Sequence, residues 1–384
     1  MSRRKEEDKG TETRETLHRA RHEKTGGRSS RVTEAAEQQA KKTGKLHPLV
    51  DPAGYGVVRR SLPRFVQRED GLWVMAVGMP VPKEDRLDTT GSMGDNVDIA
   101  VGVLPDSYDL CSKMLPGCDL QMATGIFADV VDEFVLCRPQ FEMQAAKIVE
   151  QLTYMVPEGR GGDDPEDPQY GLFGAAYLTD TYVSKIGLKG YDFTITDAPA
   201  RDRLDVRQLY RIFGDEVFER LSENGHDINR KDLPTTVEVV QDLRKRAHAF
   251  LLRVVGRHDS SEAARFWERV FGSERVIVLP QTTLLPQVES AIIGLTEGIV
   301  DLQGVVDFLR SNNVSKDDAK SIQRAVAGIP IGAQAVLPNF SKRPKKGDLF
   351  RNKTDLWPVD PADLALAQQS DNQEPVAEEG QGWL

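Results

Sequence analysis

The stretch RLDTTGSMGDNV, Arg86 to Val97, decides how the rest of the chain is read. It packs Asp88, Thr89, Thr90, Ser92 and Asp95 into eight positions, and a helical pattern of Val97, Ala100, Val101 and Leu104 begins directly behind it. Such side chains can cap a helix by accepting from its first backbone N–H groups. They also suit a hard divalent cation, because Asp88, Thr90 and Ser92, at i, i+2 and i+4 around a tight turn, can aim three oxygens at one point.

Outward from this turn, short apolar runs alternate with amphipathic helical patterns from about Leu46 onward, which is an α/β signature. The candidate strands are LWVMAVGM from Leu72, MATGIFAD from Met122, EFVLC from Glu133, YDFTIT from Tyr191, AFLLRVVG from Ala249 and RVIVLP from Arg275. Helical patterns lie between them: MQAAKIVEQLTYM, PQYGLFGAAYLTDTYV, DSSEAARFWERVFG with Asp259 and Glu262 at capping-box spacing, and a helix from Pro286. The expected fold is therefore a doubly wound, mostly parallel, Rossmann-like α/β sheet with helices on both faces. In such sheets ligands bind beyond the carboxyl ends of the strands. Three acid-rich loops fall there: DTTGSMGD, GRGGDDPEDP before the helix at Pro168, and TITDAPARD after the strand at Tyr191.

These residues resemble the von Willebrand factor type A (vWA) family with its metal-ion-dependent adhesion site (MIDAS), in the wording of bacterial or phage intracellular members. The family motif Asp-x-Ser-x-Ser, often with Thr in the middle, is met by Asp88, Thr90 and Ser92. Asp197 in ITDA matches the last metal-loop Asp, and Asp129, ending GIFAD, matches a structural acid. The middle loop normally gives Thr; here GGDDPED offers Asp163, with Asp164 beside it as the other choice. The resemblance covers roughly Trp73 to Leu309. It departs from the family in one respect: PVPKEDRL separates WVMAVGM from Asp88, where the family runs an apolar strand straight into the motif.

The resemblance implies a divalent cation, Mg²⁺ first with Mn²⁺ or Ca²⁺ as alternatives, held by Asp88, Thr90, Ser92, Asp163 and Asp197. It further implies a protein partner that presents an Asp or Glu to that cation, with a MoxR-type AAA+ ATPase or its client as one such partner. The expected function is that of a metal-dependent protein-binding module, an adaptor or scaffold, rather than an enzyme. A phosphoryl-transfer enzyme with Asp88 as nucleophile is the alternative, since DTTGS is close to Asp-Lys-Thr-Gly-Thr. However, Thr89 replaces the Lys and no Gly-Asp-Gly-x-x-Asn-Asp follows. A structural or virion-associated scaffold is a third reading.

Composition bounds these readings. Residues 1–45 carry 13 Lys and Arg against 8 Asp and Glu, leaving 37 against 52 in the remainder, so a basic arm precedes a body of net charge −15. That body repels phosphate backbones, which confines any nucleic-acid contact to the arm. Up to Lys45 the only large aliphatic residues are Met1, Leu17 and Val32, so residues 1–45 are expected to be disordered. The remaining divisions are a vWA-like domain over 46–311 with a helical insertion at about 198–247, a helical extension over 312–338, and an extended tail over 339–384. Cys111, Cys118 and Cys137 lack metal or disulfide spacing, and His248 reads as a packed histidine. No apolar run reaches the ~18 residues of a membrane span and MSRRKEEDKG lacks a secretory core, so a cytoplasmic protein is expected.

Overall fold

A computed structural model describes residues 31–54, 57–67, 73–75, 78–157, 165–256 and 260–334. The first elements are α1 (Arg31–Thr43), β1 (Arg59–Ser61), β2 (Phe65–Gln67), β3 (Trp73–Met75), β4 (Pro80–Asp88), α2 (Asp95–Met114), β5 (Asp119–Phe127) and β6 (Leu136–Cys137). Then come α3 (Ala145–Thr153), α4 (Pro168–Tyr177), β7 (Thr179–Thr181), α5 (Tyr182–Lys185), β8 (Gly190–Thr196), α6 (Val206–Phe213), α7 (Val217–Glu223) and α8 (Thr236–Leu243). The last are β9 (Ala247–Arg253), α9 (Ser261–Phe271), β10 (Val276–Val278), α10 (Leu285–Glu297), α11 (Leu302–Ser311) and α12 (Lys316–Ala325).

Six strands form the main sheet in the order β10-β9-β8-β4-β5-β6, parallel except for β6. Its two faces are buried separately. Leu87, Ile126 and Phe193 point into one core with Leu104, Cys111, Val288 and Ile292 of α2 and α10. Phe127, Ala249 and Leu251 point into the other with Phe173, Phe213, Leu221, Val240 and Trp267 of α4 and α6–α9. This is the doubly wound, mostly parallel α/β architecture expected. Residues 198–247 are not an appendage to it, because α6, α7 and α8 supply much of one covering layer. On the opposite side Val314, Ala319, Ile322, Val326 and Ile329 belong to the same core as α10, so residues 312–334 pack within the domain. Residues 335–384, which include the expected tail, lie outside the described residues.

The central strand is a correction. LWVMAVGM does not lead into Asp88: Trp73–Met75 pairs antiparallel with Phe65–Gln67 in a separate two-stranded sheet. The central strand is PVPKEDRLD itself, β4, all nine residues of it buried. Four consecutive ions, Lys83, Glu84, Asp85 and Arg86, lie inside the protein, and strand alternation sends them to opposite faces. On the α10 face Lys83 Nζ lies 2.5 Å from Asp85 and 2.9 Å from Glu289. On the α4 face Arg86 Nη1 donates to Asp192 at 2.9 Å, while Arg138 Nε donates to Glu84 at 2.9 Å. The α4 helix makes room for these guanidiniums with glycine, since a Cβ on Gly171 would lie 2.4 Å from Arg86 Cδ and one on Gly174 3.2 Å from Arg138 Nε. A strand therefore does run straight into Asp88, but ion pairs stand in it where the expected pattern has aliphatic side chains.

The N-terminal arm also needs correction at its end. Arg31–Thr43 form α1, with Glu34 in the first turn and Lys41 and Lys42 in the last, each matching the helix dipole. Small residues of it are buried, Ala40 and Thr33 each being 2% exposed. Behind it His47 stacks on Tyr154 with ring centroids 3.6 Å apart. Residues 1–30 lie outside the described residues. A chain beginning at Leu46 is expected to fold but to lose about 1–2 kcal/mol of stability, read as an earlier urea midpoint. An unchanged midpoint would mean that α1 does not dock in solution.

Candidate metal site

Asp88 ends β4 at the carboxyl edge of the sheet and is fully buried. The loop behind it is pinned to the neighbouring strand, because Thr89 donates both its N–H (3.0 Å) and its hydroxyl (2.9 Å) to the carbonyl of Phe127. Gly94, at φ 50° in the left-handed region where glycine is favoured, turns the chain into α2. It is also the N-cap, and no side chain caps this helix. The loop hydroxyls are therefore not spent on the helix start, which removes the capping explanation for them.

They are spent on each other. Asp88 Oδ1 accepts from the Thr90 N–H (2.8 Å) and hydroxyl (2.7 Å), and Oδ2 accepts from the Thr196 hydroxyl (2.6 Å). Thr90 Oγ1 lies 3.2 Å from Ser92 Oγ, and Ser92 donates to Asp197 Oδ1 at 2.7 Å. One continuous chain of oxygens thus joins the ends of β4 and β8 and brings together Asp88, Thr90, Ser92 and Asp197, four of the five residues read from the sequence. Ser92 alone of the four is not fully buried, so access to the cluster is from its side. The carboxylate of Asp197 rests against bare backbone: a Cβ on Gly256 would sit 2.1 Å from Asp197 Oδ2.

The fifth residue, Asp163, lies with Asp164 outside the described residues. What the middle loop delivers within them is Glu166. Its backbone is stitched to the loop after β8, its N–H donating to Pro199 O (3.0 Å) and its carbonyl accepting from the Arg201 N–H (3.2 Å). The side chain is 4% exposed, lies beside Thr90, and leaves Oε2 without a hydrogen-bond partner. Burial, together with the charge of Asp88, pushes the Glu166 carboxyl up to about 8. Burial likewise pushes Asp88 up to about 6, against the hydrogen bonds from Thr196 and Thr90. Sequence reading missed both Glu166 and Thr196. The adjoining acids are structural: Asp167 accepts from Val130 N–H (2.8 Å) and Arg201 Nη1 (2.6 Å), and Asp129 accepts from Val131 N–H (3.0 Å).

The donor chemistry fits a hard cation. Buried carboxylates crowd hydroxyl oxygens, and their raised proton affinity marks a cluster short of positive charge. Among the described residues no three His, Cys, Asp or Glu side chains are arranged to hold a metal ion, so the hydroxyls of Thr90 and Ser92 are needed as donors. His248 is a packed residue, as read: it is buried, bonds to Gln334 Oε1 at 3.1 Å, and burial pushes it down to about 4. The three cysteines are free.

No known family profile matches the chain, and no curated protein sequence does. Among solved structures the chain is similar to proximal thread matrix protein 1 from the mussel byssus, at 14% identity and a TM-score of 0.37 over 58% of this chain and 46% of that one. The form of that protein with a zinc-occupied MIDAS motif gives the same values. The pilus adhesin SpaC from Lactobacillus rhamnosus GG, in its open conformation, is 10% identical with a TM-score of 0.40, covering 57% of this chain and 30% of that one. The chain therefore spans less than half the length of each of these proteins. Scores this low carry no argument about function. Among the described residues no helix is long and apolar enough to cross a membrane.

Proposed function

We propose that the protein is a metal-dependent protein-binding module, which holds one divalent cation through Asp88, Thr90, Ser92 and Asp197 and captures a carboxylate of a partner. The observation that supports this reading is the unbroken oxygen chain from Thr196 through Asp88, Thr90 and Ser92 to Asp197. A hard cation bound there would supply an electrophilic position for an anionic oxygen. The protein's own part is to fix the two loops, through Thr89 on Phe127 and Thr196 on Asp88, and to keep water from the buried carboxylates. Mg²⁺ suits the hydroxyl-rich donors, with Mn²⁺ and Ca²⁺ as the other candidates. A MoxR-type AAA+ ATPase or its client is the partner class put forward, in an adaptor or scaffold role. The phosphoryl-transfer alternative is less well served, because Asp88 is fully buried where a nucleophile must be reached, and Thr89 stands in place of the Lys of that motif.

Calorimetric titration with Mg²⁺, Mn²⁺ and Ca²⁺ is expected to show one site, removed by Asp88→Ala while circular dichroism is unchanged. That substitution leaves only neutral groups unpaired, the Thr90 N–H and the hydroxyls of Thr90 and Thr196, so the fold should survive it. Unaltered metal binding in Asp88→Ala would overturn the assignment.

A further inference from the structure

Two exposed valines flank the proposed cation site, each on a hydrogen-bonded turn. Of the five large hydrophobic residues that stand exposed among the described residues, Val131 (65%), Val255 (64%) and Val278 lie at or beyond the carboxyl ends of β5, β9 and β10, the edge that carries the site. Val131 and Val255 flank it. In the order β9-β8-β4-β5, Val255 follows β9, Asp197 follows β8, Asp88 ends β4 and Val131 follows β5, so one valine stands on each side of the two acids.

Each valine is the tip of a fixed turn. Around Val131, Arg211 donates to the carbonyls of Val130 (2.7 Å), Asp132 and Glu133 (2.9 Å). The N–H groups of Val130 and Val131 are bound by Asp167 and Asp129. Val255 is the middle of a three-residue turn closed by Gly256 N–H on Val254 O at 3.1 Å, and Val254 N–H is tied to Thr196 O at 3.0 Å. Because the backbone of both turns is already bonded, a partner that covers these side chains has little further backbone to order.

We infer that Val131 and Val255 are specificity contacts, and that the partner segment is a carboxylate flanked on both sides by aliphatic residues. The inference rests on the proposed cation-dependent capture of a carboxylate. Charge narrows the occupant: a body of net charge −15 outside the arm disfavours a second acid beside the first, and the two exposed valines, which offer hydrocarbon and no counterion, favour aliphatic over basic neighbours. The valine side chains are hydrocarbon and cannot ligate a cation, so the two roles can be separated by substitution.

The test is a displayed library of pentapeptides with a fixed central Asp or Glu and random neighbours, captured by the full chain in Mg²⁺ and released with EDTA. Val, Ile and Leu are expected to be enriched on both sides of the acid. In Val131→Ser/Val255→Ser the preference should vanish and the selected peptides bind roughly tenfold more weakly, with calorimetric Mg²⁺ affinity as in the parent. Acidic peptides released by EDTA without flanking preference would overturn this inference and leave the cation reading standing. No EDTA-releasable acidic peptide would overturn both, and Mg²⁺ binding lost in the double variant would show that the valines shape the metal loops instead.

Discussion

Replacing Arg86 by Met is expected to lower the stability of the protein by about 3–5 kcal/mol, because it strands buried carboxylates. Arg86 is fully buried; its guanidinium bonds both oxygens of Asp192 and stands 3.8 Å from Glu84. Burial already pushes Asp192 up to about 6 even with Arg86 beside it. Without the arginine its charge keeps no hydrogen-bonded counterion and only the weaker pull of Arg138, which is itself paired with Glu84. Equilibrium urea unfolding reads the loss, and Arg86→Met/Asp192→Leu should recover most of it, since the cost belongs to the unpaired charge rather than to the missing pair. A loss below about 1 kcal/mol in the single variant would place the network in the range of solvated surface pairs.

Gly256→Val should weaken divalent-cation binding by about 10–100-fold, the range found for residues that orient a ligand without being one. Its Cβ would meet Asp197 Oδ2 at 2.1 Å and Cγ at 2.7 Å, so the carboxylate must leave its place beside Ser92. Gly256 ends the turn after β9, beyond the sheet, so the unfolding midpoint should move much less than the affinity. Calorimetry on the variant and parent decides: equal affinities would mean that Asp197 is not among the cation's ligands.

The motif residues were legible because their spacing is local. Asp88, Thr90 and Ser92 meet through one turn, and Asp197 follows a strand that hydropathy finds. Glu166 was hidden in an acidic run whose composition is that of any surface loop. Its place is set by two backbone hydrogen bonds to residues 199 and 201, which no local pattern announces. The central strand was misplaced for a related reason. Hydropathy assigns buried strands to apolar runs, and KEDR is the opposite of one, but its counterions come from Arg138, Asp192 and Glu289, each far from it in the chain. The better-looking candidate, Trp73–Met75, went to a two-stranded sheet. One signal was available: Gly171 and Gly174 within a wholly buried helix indicate bulky side chains crossing it. The helix over 31–43 was missed because its buried contact, at Ala40, is too small to register as an apolar pattern.

An aliphatic central strand could slide past its neighbours with little penalty beyond the flipping of its faces; β4 cannot. Moved one residue forward, it sets Glu84 in the place of Lys83, against Glu289, and Leu87 in the place of Arg86, against Asp192. Moved one residue back, it sets Lys83 against Arg138 and Asp85 against Asp192. Each misthreading pairs like with like, or leaves an ion facing hydrocarbon, in a dry interior. The four charges work as a key cut for one alignment, and because Asp88 is the last residue of that strand, the alignment they enforce sets how far the first metal-loop acid projects beyond the sheet.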